Sequence, residues 1–446
     1  MRTLRDYMRI VLLAVFVLVT IASFRQFVSI QSIATFPDSD VYMAAARAPL
    51  FSSQIWAGQR APGYPIFIKS CFGSTDEIAR SQYLFSFACW TFLAFCCLRV
   101  FSGPVAKVLG FTLFMTQILS PGVYLWHKVI LSESVSFSLL AVCTGCWILF
   151  VHRKCLLNAT IAVVATAAWV GVRDTNAYQA VFLGVFLLLS IGYRALRKPV
   201  QPFRSQRLVI GVAVMLFVIF AGSDISSNRG GRWLFPFCNN VAQRVLPSEE
   251  RTAWFAARGM PVTPALVERR GKWASSDGFA FFNDENLAGF REWTRVHGKS
   301  TYIEWLILHP AYTFYESARG FSGIFDTNYA EYAPRGLYPP GPPPYTLGSA
   351  AAVLYAFVIG FFCCYCLLPH VCRSVCVEGK AKVGLVAVPM LMLPGILFGH
   401  LAVWHGDAME IVRHSAQTVV QLKIVVCLLA ACAADQAQSN WKTWKM

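Results

Sequence analysis

Charged side chains are scarce in this sequence, and acidic ones are the scarcest. Asp, Glu, Lys and Arg make up 14% of the 446 residues, whereas a soluble domain carries about a quarter. So few charges exclude an intrinsically disordered chain and argue against a pair of soluble domains. The chain instead has 56% hydrophobic residues and a mean hydropathy of +0.51. This balance predicts an all-α polytopic membrane protein, with room for about ten spans of roughly 20 residues each.

The charge balance is strongly basic, with 39 Lys and Arg against 23 Asp and Glu and a net charge of +16. In a membrane protein such an excess reports the topology and the attraction of anionic lipids. We therefore predict a membrane partner and no nucleic acid. Most of the 15 cysteines lie in apolar runs, where Cys behaves as a small hydrophobe.

Ten apolar runs are candidate membrane spans. The first follows three arginines and resembles a signal peptide, but it lacks a clear cleavage site, so we interpret it as a retained anchor. The third and ninth contain proline or polar breaks. The predicted spans are 10–30, 82–99, 106–124, 131–151, 156–172, 175–193, 208–223, 346–369, 383–403 and 412–434.

Alternate connections between these spans differ in charge. One set carries Lys and Arg with only three acids, and short loops of that kind face the cytoplasm. The other set carries most of the acids and therefore faces the periplasm or cell exterior. We predict three parts: a membrane module of about seven spans at 1–223 with a first outer loop at 31–81, an outer, mostly helical segment at 224–345, and about three further spans at 346–446. A bacterial inner membrane fits the short loops.

The outer segment predicts short helices at 248–258, stopped by Gly259, at 284–297, stopped by Gly298, and at 301–309. We expect these helices to lie on the bilayer surface through Trp293, Trp305, Leu306 and Leu308. The sequence shows no internal repeat of the kind found in inverted-repeat transporters.

Two motifs in the first outer loop bear on function. Residues 37–42 read Pro-Asp-Ser-Asp-Val-Tyr, and residues 60–65 read Arg-Ala-Pro-Gly-Tyr-Pro. Together they resemble the GT-C superfamily of integral-membrane glycosyltransferases, above all the branch of protein O-mannosyltransferases and aminoarabinose–lipid A transferases. The resemblance covers roughly the first 200 residues and includes a later Ser-Glu at 132–133 and an Arg-Asp at 173–174. It departs at Ser39, where O-mannosyltransferases have Glu, and in lacking large β-rich outer domains.

The resemblance implies a GT-C-like fold and transfer of a sugar from a polyprenyl-phosphate donor to a glycan, glycolipid or protein outside the membrane. Such a transfer passes through an oxocarbenium-like state, and a carboxylate can take the acceptor proton. We predict Asp38 as this base, with Asp40 positioning the acceptor or a divalent metal. No cofactor is obligatory, although a divalent metal remains open.

The leaving lipid phosphate needs fixed cations at the membrane surface. We predict that Lys128 and Arg173 bind it, joined by Arg60. The predicted substrate-binding residues are Tyr42, Tyr64, His127, Glu133, Arg413 and His414.

Each assignment has a structural alternative. Asp38 could cap a helix, the three cations could snorkel to the interface, and Glu133 could favour a helix N-terminus. A salt-bridge cluster could account for the charged residues between 405 and 414. The alternative function is a transporter or flippase of a lipid-linked or anionic substrate, which predicts that Arg25, Lys423 and His400 line a continuous polar path. A non-catalytic scaffold is the third interpretation.

Overall fold

The fold of the chain was obtained as a computed structural model, which describes residues 2–71, 73–197, 204–324, 332 and 384–444. Within these residues the chain is helical, and the one β-type pairing is a single bridge between Ala34 and Val129. Seven of the described helices are long and apolar enough to cross a membrane. The chain is therefore a multi-pass helical membrane protein.

The helices of the membrane part are named in chain order. They are α1 (Arg2–Ser29), α2 (Pro37–Arg47), α3 (Ser53–Trp56), α4 (Gly63–Ser70), α5 (Thr75–Val100), α6 (Pro104–Gln117), α7 (Pro121–Tyr124, extended by a 3-10 turn at Leu125–Lys128), α8 (Glu133–His152), α9 (Leu156–Val172), α10 (Thr175–Arg197) and α11 (Arg204–Arg229).

The described part of the outer segment contributes seven α-helices, and two bundle helices follow it in the chain. They are α12 (Leu234–Asn240), α13 (Glu249–Ala256), α14 (Pro264–Val267), α15 (Ser276–Asn283), α16 (Ala288–Trp293), α17 (Lys299–Leu308) and α18 (Pro310–Ile324), followed by the bundle helices α19 (Gly384–Gly406) and α20 (Ile411–Trp444).

The span count of about ten is not confirmed. The predicted span 106–124 is two helices, α6 and the α7 unit, which meet at a bend of 51°. The bend falls at Pro121, which has no N–H to continue the helical hydrogen bonds. Helix α9 has 17 residues, short of a full crossing. The predicted span 346–369 lies outside the described residues.

Helices α8 and α20 form the centre of the bundle. In the most apolar 18-residue stretch of each helix, 78% of the residues of α8 and 72% of those of α20 are buried, whereas only 11% are buried in α1. Helix α1 instead exposes Leu13, Leu18 and Phe24, as expected of a helix that faces lipid. Side chains at the start of α8 and α20 are therefore placed deep within one end of the bundle.

A glycine contact fixes the first outer loop against this bundle. A Cβ on Gly63 would lie 2.8 Å from the carbonyl oxygen of Gly171, near the end of α9. Only glycine allows the start of α4 to approach that backbone so closely. This contact explains the glycine of the 60–65 motif and sets the position of Arg60 just before it.

The outer segment has a hydrophobic core of its own, and two predictions there are wrong. Trp293 and Trp305 are buried within it and do not lie on a bilayer surface. Gly298 does not stop a helix, because the chain continues through a π-helical turn (Thr294–Gly298) into α17. A Cβ on Gly298 would meet the ring of Phe237 at 3.0 Å, so this glycine serves close packing. The predicted stop after α13 is confirmed, with Gly259 at φ +86°.

Candidate functional site

Arg413, in the first turn of α20, binds three carboxylates. Its Nε donates to Glu133 Oε1 at 2.8 Å, its Nη1 to Glu410 Oε2 at 2.6 Å, and its Nη2 to Asp38 Oδ2 at 2.8 Å. The side chain is 6% exposed. A guanidinium presents its donors in a rigid planar fork, which suits it to join three acceptors. Arg413 thus connects the first outer loop, α8 and the α19–α20 turn.

Asp38 is held by a second arginine on its other oxygen. Arg60 Nη2 donates to Asp38 Oδ1 at 2.5 Å, and the Arg60 guanidinium lies over the ring of Tyr42 at 5.5 Å. Burial alone would raise the pKa of Asp38, but the charges of Arg413 and Arg60 offset this effect and hold the pKa below its usual value. Asp38 is therefore an ionised carboxylate between two cations. Helix α2 is capped instead by Ser39, whose Oγ accepts from the N–H of Phe36, so the interpretation of Asp38 as a cap is wrong.

Glu133, the first residue of α8, is fully buried. Its Oε1 accepts from both Arg413 and Arg173, the latter at 3.2 Å, while its Oε2 has no hydrogen-bond partner among the described residues. Arg173 Nη2 lies 2.8 Å from Nδ1 of His414. An arginine only donates, so Nδ1 of His414 is the acceptor and carries no proton.

We call this set the charged cluster. Three carboxylates face three arginines, so the formal charges balance. Its members are Asp38, Arg60, Glu133, Arg173, Glu410, Arg413 and His414.

Glu410 belongs to the charged cluster and binds Tyr332 beside it; the sequence placed Glu410 only in the alternative salt-bridge cluster and assigned Tyr332 no role. Glu410 has φ +52°, a conformation that L side chains rarely adopt, and its Oε1 accepts from the hydroxyl of Tyr332 at 3.0 Å. Strained backbone of this kind persists where surrounding contacts hold it, often at functional sites. The density of charge between 405 and 414 pointed to Glu410. No sequence pattern singled out Tyr332.

The charged residues at 405–414 do not form one cluster. Asp407 accepts from Asn239 Nδ2 at 3.0 Å and from the N–H of Met409 at 2.9 Å. Burial raises the pKa of Asp407 to about 6. His405 Nε2 contacts the carbonyl oxygen of Thr313. These two side chains attach the α19–α20 turn to the outer segment, whereas Glu410, Arg413 and His414 point into the charged cluster.

Tyr42 and Tyr64 form a buried wall beside the cluster. Their rings meet edge to face at 4.9 Å. The Tyr42 hydroxyl donates to Ser132 Oγ at 3.4 Å, and the Tyr64 hydroxyl donates to Gln82 Oε1 at 2.8 Å. Burial raises the pKa of both phenols, so both remain neutral donors. Tyr42 borders the charged cluster directly, and Tyr64 supports it from behind.

Lys128 and His127 lie apart from the charged cluster. The ammonium of Lys128 sits over the ring of Phe27 at 4.2 Å, and the buried ring of His127 meets the edge of Tyr83. The 3-10 turn at Leu125–Lys128 directs both side chains towards α1 and α5. The described contact of Lys128 is thus with α1, whereas Arg60 and Arg173 form their ion pairs within the charged cluster.

Asp38 and Asp40 do not converge on one ion. They lie two residues apart on α2, so their side chains point about 200° apart around the helix axis. Asp40 is exposed, and no hydrogen bond or ion pair joins it to another described residue. Within the described ranges, no group of three or more His, Cys, Asp or Glu side chains has the arrangement of a metal site.

Arg232, at the end of the turn after α11, braces the loop that carries Arg60. It binds Asp174 through two nitrogens, at 2.7 and 3.1 Å, and its Nη1 donates to the carbonyl oxygens of Gly58 and Arg60. The backbone of Arg60 is thereby fixed. No sequence pattern singled out Arg232.

Below the charged cluster, a ladder of buried amides runs into the bundle. Gln417 Nε2 donates to Asn176 Oδ1 at 2.6 Å, and Gln179 and Gln421 exchange two hydrogen bonds. An enclosed cavity beside them, between Arg173 and Gln417, has a volume of about 10 Å³, which is room for about one water. The amide side chains of the ladder therefore bind one another directly, with little space for water between them.

No protein-family model matches the sequence, and no curated protein sequence is significantly similar to it.

Proposed function

We propose that this protein is a GT-C-like glycosyltransferase that moves a sugar from a polyprenyl-phosphate donor to a glycan, glycolipid or protein acceptor outside the membrane. One observation carries the proposal. An ionised, part-buried carboxylate, Asp38, and a part-exposed arginine, Arg60, lie in contact at the end of the bundle that the loop charges assign to the exterior. A base and a phosphate-binding cation are the two groups that the reaction requires.

Arg60 is the cation best placed to receive the donor. Its side chain is 32% exposed, whereas those of Arg173 and Arg413 are 9% and 6% exposed. Its Nε has no hydrogen-bond partner among the described residues. Arginine forks match phosphate oxygens in geometry, and a donor phosphate would gain charge as the sugar leaves. Arg173 is bound to Glu133 and His414, which supports a positioning role for it.

Asp38 and Glu133 have different roles in the proposed transfer. Asp38 takes the proton of the acceptor hydroxyl as that oxygen attacks the anomeric carbon and the bond to the donor phosphate breaks. Glu133 has a free Oε2 that can accept a hydrogen bond from a sugar hydroxyl. Arg413 holds both carboxylates in place through its ion pairs. The ten-span count, the inner membrane and the periplasmic site belong to the same proposal.

A transfer assay tests the proposal. The full-length protein in lipid nanodiscs receives radiolabelled prenyl-phosphate sugars and a membrane extract as the acceptor. We expect transfer by the wild type and a loss of about 100-fold or more in Asp38→Asn, because a general base contributes about 10²–10⁴-fold. Arg47→Gln, on the exposed last turn of the same helix, is the control and keeps full activity. Full activity of Asp38→Asn would remove Asp38 from the mechanism.

A transporter or flippase is the second candidate, and the amide ladder favours it. Gln421 lies about 15 Å along α20 from Ile411, near the middle of a bilayer of about 30 Å. Polar side chains at that depth often mark a substrate path. However, Arg25 is exposed on α1 and His400 contacts the carbonyl oxygen of Ser317, so neither extends the ladder. Movement of a fluorescent prenyl-phosphate sugar across protein-containing vesicles, without transfer, would favour this second function.

A further inference from the structure

Both oxygens of Asp38 are occupied by arginines, which constrains its use as a base. Arg60 holds Oδ1 and Arg413 holds Oδ2. Each oxygen keeps a further lone pair for an acceptor hydroxyl, but the two adjacent guanidinium groups stabilise the carboxylate and weaken it as a base. Release of one arginine therefore makes Asp38 a stronger base for the acceptor proton.

The two arginines are held very differently. Arg413 is 6% exposed and binds Glu133, Glu410 and Asp38 at once. Arg60 is 32% exposed, and Asp38 is the only carboxylate with which it forms a described ion pair. Releasing Arg413 would break ion pairs with three carboxylates at once, among them the fully buried Glu133, whereas releasing Arg60 breaks one ion pair and leaves Asp38 still paired to Arg413. Arg60 is thus the arginine that releases Asp38 more easily.

The surroundings allow the side chain of Arg60 to move without its backbone. Arg232 fixes the carbonyl oxygens of Gly58 and Arg60, and the Gly63 contact fixes the residues that follow. The guanidinium itself has an unpartnered Nε and rests on the face of Tyr42. A short swing from Asp38 towards an anion would keep the contact with that ring.

We propose that Arg60 is an anion-operated latch on Asp38, resting on the proposed function. The phosphodiester of a prenyl-phosphate sugar binds the Arg60 guanidinium and draws it from Oδ1, and the freed oxygen accepts the proton of the acceptor hydroxyl. The donor therefore binds before the acceptor becomes reactive. A sugar without the anion leaves the latch closed, so the site discriminates lipid-phosphate donors from neutral glycosides.

The latch predicts proton uptake on donor binding. The charged groups that face Asp38 are Arg60 from the loop before α4, Arg413 and Glu410 from the α20 end, and Glu133 and Arg173 from α8 and α9. Loss of one of its two paired cations weakens the stabilisation of the carboxylate, so the pKa of Asp38 rises. A bound phosphodiester adds negative charge nearby, which acts in the same direction.

The test uses the full-length protein in nanodiscs and a short-chain prenyl-phosphate mannose, a phosphodiester whose own charge is constant between about pH 4 and pH 8. Calorimetric titration at about pH 4–5, in buffers of different ionisation enthalpy, counts the protons taken up on binding. We expect uptake by the wild type and by Arg47→Gln, and none by Asp38→Asn. Arg60→Gln should bind about 10- to 100-fold more weakly and take up none. An alkyl mannoside should cause no uptake.

The outcomes separate the latch from the proposed function. Donor binding with the same proton count in the wild type and in Asp38→Asn overturns the latch and leaves the donor assignment standing. Donor binding with unchanged affinity and uptake in Arg60→Gln likewise removes Arg60 from the latch. Failure of the wild type to bind the donor overturns the glycosyltransferase proposal, and the latch with it.

Discussion

Arg413 is the side chain whose loss the structure makes most costly. Replacing it by methionine keeps an apolar stem of similar length and removes its contacts with the carboxylates. Asp38 retains Arg60, and Glu410 retains the hydroxyl of Tyr332. Glu133 retains only Arg173, at 3.2 Å, and it is fully buried. The cost of Arg413→Met therefore falls mainly on Glu133.

Removing one partner of a buried ion pair costs about 3–5 kcal/mol, because the other charge stays buried. Without Arg413 three carboxylates face two arginines, and the second replacement, Glu133→Gln, restores the balance of charge. We expect Arg413→Met/Glu133→Gln to be more stable than Arg413→Met by about 1–3 kcal/mol. Such a recovery identifies the buried carboxylate, rather than lost packing, as the source of the cost.

The free energy of unfolding can be measured by titration of the purified protein with sodium dodecyl sulfate in mixed micelles. Arg295→Met is the control, since Arg295 is 65% exposed and lies 3.9 Å from Glu292. Exposed pairs of this kind contribute about 0–1 kcal/mol. If Arg413→Met costs no more than this control, the carboxylates of the charged cluster are hydrated and the reasoning above is wrong.

Three further predictions concern packing and pH. Gly63→Ala should destabilise the protein by about 1–3 kcal/mol and lower activity, because the added Cβ would lie 2.8 Å from the backbone of Gly171. The control Gly171→Ala should be tolerated, because its Cβ meets nothing within 4 Å. Equal unfolding curves for the two variants would contradict the contact. The pKa of Asp407 is raised to about 6 from 3.8, so its contribution to the free energy of unfolding is complete below about pH 4 and is lost as pH rises through 6. Asp407→Asn should flatten this decline in unfolding titrations at different pH. An unchanged decline would show that Asp407 is not its cause. The pKa of Asp38 is lowered, so its contribution to the free energy of unfolding is present above its pKa in the unfolded chain and is lost on acidification. Asp38→Asn should therefore lose less stability below about pH 4 than the wild type does. Identical acid-unfolding profiles of the two proteins would contradict the ion pairs.

Sequence reasoning located the central helices and most of the charged cluster for a simple physical reason. Apolar runs long enough to span a bilayer identify α8 and α20, and the charged residues beside such runs on one side of the membrane were expected to form one site. Glu133 and Arg413 stand at the starts of α8 and α20 and Arg173 stands at the end of α9, and the structure brings them together. Pairing between residues hundreds of positions apart, such as Asp38 with Arg413, has no local signature in one sequence.

The departures also have physical causes. Lys128 follows a run of residues that reads as a helix but ends in a 3-10 turn, and that turn directs its side chain to Phe27. Trp293 and Trp305 were assigned to a bilayer surface by their amphipathic character, yet the outer segment forms a core that buries them. Composition identifies aromatic rings but does not identify what covers them.

The balance of charge in the cluster constrains any function in which an anion enters it. Three arginines already face three carboxylates, so an incoming phosphate finds no spare positive charge. It can bind only by competing with a carboxylate for an arginine, and the outcome depends on how firmly each arginine is held. Arg413 and Arg173 lie in buried networks, whereas Arg60 has one carboxylate partner and a part-exposed side chain. Competition for Arg60 necessarily changes the environment of Asp38, so anion binding and the basicity of this carboxylate are linked in the cluster.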